Sequence, residues 1–234
     1  MTLVAHLSDL HLRNDEARRL RFIRALGQAR AAGAQHLLLT GDLTASGKLS
    51  QLNELSQVLH EHWPHEKTIV PGNHDSGSGF GRIFGPLDPP RFIGGEALII
   101  PIDTRAPRRA LAFGALGRVG APQMSMLESL TRRVDKPVLI VAHHGPQFGG
   151  VLHPFRGLID RAGVMRLLGR SPDIHYLCGH DHRVLDIGQV HTAGSVATHD
   201  DPLRLYDVGP AGFKSIYRSA DPGSAGLAAP PKTI

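Results

Sequence analysis

Five short apolar runs in this chain each end on side chains that can bind a metal. Val4–Leu7 leads to Asp9 and His11, His36–Thr40 to Asp42, and Thr68–Val70 to Asn73 and His74. Pro137–Ala142 leads to His143 and His144, and Ile174–Cys178 to His180 and His182. Runs of this length, rich in Val, Ile and Leu, read as strands. In open α/β sheets the C-terminal strand ends share one edge, and ligands bind along it. A lone aspartate at a strand end is ordinarily a turn or cap residue. Nine oxygen- or nitrogen-bearing side chains delivered by five strands are not explained that way.

The segments between these runs carry helical spacing. Asp15–Ala32 reads as a helix with acids in its first turn, Leu20, Ile23 and Leu26 on one side, and Gly33 as its stop. Lys48–His62 repeats Leu49, Leu52, Leu55, Val58 and Leu59 at the same period. Gly77–Gly95 is dense in Gly and Pro and reads as a long loop, either a lid or merely an insertion. Glu96–Ile102 is an expected strand, and Pro122 at an N1 position starts a helix carrying Leu127, Leu130 and Val134. Val164–Leu168 reads as helical. Val184–Ile187, Val190–Val196, Leu203–Val208 and Phe213–Tyr217 then form a run of short strands. Repeated βα units followed by an all-β run imply a layered α/β sandwich rather than a barrel. The 234 residues are read as a single domain over 1–218, and the Ala-, Pro- and Gly-rich stretch 219–234 as a disordered tail.

A single cysteine, Cys178, rules out an internal disulfide framework and is read as a small buried residue. The first residues lack a basic n-region, and no apolar run approaches the roughly 18 residues of a membrane span. The expected setting is cytoplasmic, with no membrane partner. The net charge is +5. Its arginines, with clusters at 18, 19, 21, 24 and at 105, 108, 109, have no interleaved aromatics for base stacking. They read as a solvated surface rather than a nucleic-acid groove. His60, His62 and His65 read as surface residues near the end of the second helix.

The donor chemistry narrows the cofactor. Imidazole and carboxylate without thiolate suit Mn, Fe, Zn, Co or Ni and disfavour a pure Mg or Ca site. The donors are too many for one ion, and an aspartate can bridge two. Two divalent transition-metal ions about 3.5–4 Å apart can share a hydroxide and clamp the oxygens of an in-line displacement at phosphorus. That chemistry points to phosphoester hydrolysis.

The series Ser8–His11 (SDLH), Gly41-Asp42, Gly72–Asp75 (GNHD), His143-His144 and Gly179–His182 (GHDH) resembles the calcineurin-like metallophosphoesterase family. The resemblance implies a four-layer α/β/β/α sandwich of two mixed β-sheets flanked by helices. It implies one metal held by Asp9, His11, Asp42 and His182, and a second held by Asp42, Asn73, His143 and His180. His74 matches the family's leaving-group histidine, and Asp75 is expected to orient it. Of the adjacent histidines, block position favours His143 as ligand and leaves His144 lining the pocket. Gly145-Pro146 departs from the Pro-Pro often seen there. Arg13, His144 and Phe148 are candidate substrate contacts.

Within the family, the 34 residues from Gly145 to Cys178 are too few for the cap of the UDP-diacylglucosamine hydrolases. The chain also lacks the length for the capping domain of the double-strand-break nucleases. The order of its blocks most resembles compact bacterial phosphodiesterases of the cyclic-nucleotide type, which implies a small-molecule phosphoester substrate. A phosphomonoesterase, a nuclease and a non-catalytic scaffold are the alternatives, the last opposed by filled ligand positions.

Overall fold

The computed structural model of the 234-residue chain describes residues 1–106, 116–146, 157–199, 202–209 and 211–216. Two mixed sheets form its centre. The first has the order β11-β10-β1-β2-β3 and the second β4-β5-β6-β7-β9-β8. In the first, β1 (Thr2–Leu7), β2 (His36–Thr40) and β3 (Glu66–Val70) run parallel, while β10 (Arg204–Gly209) and β11 (Gly212–Ile216) are antiparallel additions. In the second, β5 (Ala97–Pro101), β6 (Val138–Val141), β7 (Ile174–Cys178) and β9 (Val190–Thr192) are parallel. Antiparallel β4 (Arg91–Ile93) and β8 (Leu185–Ile187) close its edges.

Three apolar layers hold the sheets and helices together. Ala5, Leu7, Leu37 and Leu39 pack against α1 (Glu16–Ala31) and α2 (Leu49–His62). Ile100, Ile140, Ile174 and Tyr176 pack against α4 (Ala121–Thr131) and α5 (Arg161–Leu168). Val4, Leu38, Ile99, Leu139, Leu177 and Tyr206 fill the space between the sheets. Alternate residues of β1, β2 and β7 therefore feed different layers, which is why these strands read as continuous apolar runs. Polar residues in the inter-sheet layer are paired. His6 lies 3.1 Å from the Tyr206 hydroxyl and 2.8 Å from Thr40 Oγ1, and His36 lies 3.0 Å from Thr68 Oγ1.

Several boundaries differ from the sequence expectation. The Gly77–Gly95 stretch is not one long loop: it contains α3 (Gly79–Phe84) and β4, and Phe80 is buried in the first core. On α1 the buried face is Phe22, Ala25, Leu26 and Ala29, whereas Leu20 is exposed. Asp15 caps this helix, its carboxylate accepting from Arg18 N at 2.9 Å. β9 ends at Thr192, and α4 ends before Val134. The stretch 219–234, Tyr217 and Phe148 lie outside the described residues. Among the described residues, no helix is long and apolar enough to cross a membrane.

Candidate metal centre

The exits of β1, β2, β3, β6 and β7 meet where the two sheets are stitched together. Ser8 bridges Ser195, Val196 N donates to Ser8 O at 3.0 Å, and Gly179 N donates to His143 O at 3.1 Å. Asp9 Oδ2 accepts from His180 N at 3.0 Å. The exits of β1, β2 and β7 turn sharply. Asp9, His11, Asp42, His180 and His182 all adopt positive φ, between 46° and 69°. Left-handed backbone costs a non-glycine residue about 1–3 kcal/mol and clusters at functional sites. Five of the six such residues in the described chain are candidate donors; the sixth is Asn14.

Two glycines make the convergence possible. A Cβ on Gly72 would overlap Asp42 N and Oδ1, and one on Gly179 would overlap Ser8 Oγ and lie 2.6 Å from Asp9 Oδ2. Neither position has room for a side chain.

Two groups of donor atoms result. His143 Nε2 lies 3.1 Å from Asn73 Oδ1, 3.2 Å from His180 Nδ1 and 3.4 Å from Asp42 Oδ1. His182 Nε2 lies 3.2 Å from both His11 Nε2 and Asp9 Oδ1. His11 Nε2 is 3.9 Å from Asp42 Oδ2. An ion bound at about 2.0–2.2 Å with angles near 90–109° would hold neighbouring donors about 2.8–3.6 Å apart. The close contacts in both groups fall in that range.

Charge and tautomer point the same way. His143 Nδ1 donates to Thr40 O at 2.7 Å, which leaves Nε2 facing Asn73 Oδ1, Asp42 Oδ1 and His180 Nδ1. One cation would satisfy them all. Asp9 and Asp42 are 0% and 2% exposed, and among the described residues their ion-pair partners are histidines alone. Buried carboxylates without a lysine or arginine need another source of positive charge. Burial opposes ionisation of Asp42, but the facing His143 and His74 outweigh it and hold the carboxyl well below its usual range. Burial likewise opposes protonation of His143, yet Asp42 and Asp9 raise it to about 9. Burial pushes His11 down to about 4 despite the same carboxylates. The donor set fits divalent metal.

His74 stands beside this centre, half exposed. Its backbone N–H donates to Asp42 Oδ1 at 2.8 Å, its Nδ1 lies 3.0 Å from Ala45 O, and its Nε2 is 3.9 Å from Asp42 Oδ2. Asp75 does not reach the imidazole. Its buried carboxylate accepts from Leu43 N, Thr44 N, Gly72 N and Thr44 Oγ1 at 2.8–2.9 Å, so it orders the turn rather than the ring.

His144 is fully buried beside the centre, its ring 4.6 Å from that of His180 and a ring nitrogen within donor reach of His143 and His180, with Nδ1 2.9 Å from Thr104 Oγ1 and Nε2 without a hydrogen-bond partner. It backs the donor cluster and presents no surface for the substrate contact expected of it. Arg13 is exposed on the rim, paired to Asp15 at 2.8 Å. The sequence reading missed Thr104 and Arg105, although they follow an apolar strand as the donors do.

A model of the calcineurin-like phosphoesterase family matches residues 2–184. A Synechococcus protein named a probable cyclic nucleotide phosphodiesterase is 28% identical over 239 residues, covering 94% of this chain and 89% of that one. A Fibrobacter succinogenes protein with the same name is 25% identical over 195 residues, covering 79% and 74%. A dimetal phosphatase from Danio rerio shares the fold, with a TM-score of 0.68 at 13% identity over 93% of this chain and 99% of that one. So does GAP50, the anchor in the inner membrane complex of Plasmodium, with a TM-score of 0.58 at 12% identity, covering 95% and 85%.

Proposed function

The chain belongs to the calcineurin-like phosphoesterase family, and on that premise we propose that it is a dinuclear, metal-dependent phosphodiesterase. The observation that carries the dinuclear reading is Asp42, whose Oδ1 faces His143 while its Oδ2 faces His11. One ion would be held by Asp9, His11, Asp42 and His182, the other by Asp42, Asn73, His143 and His180. Imidazole, carboxylate and amide donors without thiolate suit Mn, Fe or Zn. When bound, such a pair supplies Lewis acidity and a nucleophile available at neutral pH.

The chain's own contribution beyond these donors is His74. With Nδ1 engaged by Ala45 O, a protonated ring carries its second proton on Nε2, beside the donor cluster. That proton is available to the oxygen leaving phosphorus, a role typically contributing about 10²–10⁴-fold. The names of the bacterial relatives favour a diester, with a cyclic nucleotide as the substrate class.

Manganese-loaded protein should hydrolyse bis(p-nitrophenyl) phosphate and a 3',5'-cyclic nucleotide faster than p-nitrophenyl phosphate. His74→Ala should keep its metals and lose far more turnover on nucleotide esters than on nitrophenyl esters, whose leaving group needs no proton. Preference for the monoester across several metals would refute the diesterase reading. Equal loss on both ester types would refute the role of His74.

A further inference from the structure

We propose that Arg105 is a positioning residue for His74, tying the turn that carries it to the opposite sheet. The inference rests on the proton-donor reading of His74. Residues 103–105 follow β5, the one site-end strand between β4 and β6 that supplies no candidate donor. They act instead as a clamp. Thr104 Oγ1 holds His144 beside the candidate donor His143 through both its ring and its backbone N–H. Arg105 reaches away from its own sheet, and its Nη1 donates to Asp75 O at 2.8 Å.

The guanidinium has little freedom to do otherwise. Nε lies 3.0 Å from both Asp103 oxygens and Nη2 lies 2.6 Å from Oδ2, a fork-to-fork pairing. Asp103 is itself fixed, its N–H donating to Gln123 Oε1 and its carbonyl accepting from Gln123 Nε2. The Arg105 Cζ also sits 5.8 Å from the ring centre of buried Phe80. The arrangement leaves Nη1 pointing at the turn.

The turn from Gly72 to Asp75 is therefore tied at Asp75 to both sheets. The Asp75 carboxylate fastens it to the β2 exit of the first sheet, and Arg105 fastens the Asp75 carbonyl to the β5 exit of the second. His74 is the residue immediately before that carbonyl. His74 keeps its own contacts to Asp42 and Ala45, but releasing the Arg105 tie loosens the backbone beside it, and a misplacement of the imidazole by about 1 Å can cost about 10²-fold. A lysine cannot engage Asp103 through two atoms and still reach Asp75 O, so it should not restore the function.

The test compares Arg105→Met, Arg105→Lys, His74→Ala and the double variant Arg105→Met/His74→Ala, all metal-loaded. Activity is read on aryl methyl phosphates spanning good and poor leaving groups, with metal content, hydrogen exchange of the 72–75 amides and the His74 Nδ1 proton signal. We expect both single Arg105 variants to keep their metals, to exchange the turn amides faster, and to lose roughly tenfold or more on poor leaving groups only. Arg105→Met should add nothing further in the His74→Ala background. Losses that multiply in the double variant, or fall equally on all leaving groups, would overturn the proposal. If His74→Ala is itself indifferent to the leaving group, the proton-donor reading fails separately. Exchange of the turn in Arg105→Met then decides, faster exchange supporting the positioning and unchanged exchange overturning it.

Discussion

Replacing Gly72 with alanine tests whether the geometry around Asp42 is as tight as it looks. The new Cβ would overlap Asp42 N and Oδ1 and lie 2.9 Å from Asp42 Cα. Carbon contacts are favourable at about 3.5–4.0 Å, so the two strand exits must part by roughly 1 Å. Neither has an easy path, because Thr40 and Val70 just before them are paired in the β2–β3 ladder. Over-packing of this kind costs typically about 1–3 kcal/mol. The catalytic cost should be larger in proportion. Asp42 Oδ1 accepts the His74 N–H and faces His143, so a shift of about 1 Å disturbs both and should lower kcat about 10²-fold. Urea unfolding gives the first number, and turnover of bis(p-nitrophenyl) phosphate at saturating manganese gives the second. Gly27→Ala is the matched control, since nothing lies within 4 Å of its Cβ on α1. It should gain about 0.5–1 kcal/mol and leave activity unchanged. A Gly72→Ala protein with wild-type stability and turnover would refute the steric reasoning.

Acid should destabilise the protein through His36, which burial and then the charge of Arg91 push down to about 3. A depressed histidine leaves stability fully present above its unfolded pKa, about 6.5, and lost as pH falls through that window towards 3, at about 1.4 kcal/mol per pH unit. His36→Gln should therefore shrink the difference in unfolding free energy between pH 7.5 and 5.5 by about 1.4 kcal/mol; an unchanged difference would contradict the burial argument. Asp75→Asn places an amide group against the donors of Leu43, Thr44 and Gly72. Hydrogen bonds to a charged group contribute about 1.5–3 kcal/mol, so the unfolding free energy from urea denaturation should fall by an amount in that range or more.

The strands were legible because burial on both faces leaves little but apolar residues in them, as His36–Thr40 illustrates. The donors were legible because each stands just past such a run. What the sequence concealed was mostly non-local. Glycines at 77, 79, 81 and 85 mask α3, although Phe80 and Phe84 sit one turn apart and their rings lie 5.3 Å from each other. The face of α1 was misjudged at Leu20 because Ala25 and Ala29, small and weakly apolar, line the buried side. The adjacent histidines differ in their partners, His143 facing Asn73 and Asp42 while His144 Nδ1 engages Thr104 behind it. Arg105 could not be singled out from its neighbours, since its partner Asp75 lies 30 residues away on the other sheet.

The central claim is that Asp42 joins two ions in one site. Manganese titration followed by elemental analysis and electron paramagnetic resonance tests it most directly. The account predicts two ions per chain with an exchange-coupled spectrum in the wild type, and loss of that coupling in Asp42→Asn. A single bound manganese with an uncoupled six-line spectrum, unaffected by Asp42→Asn, would contradict it.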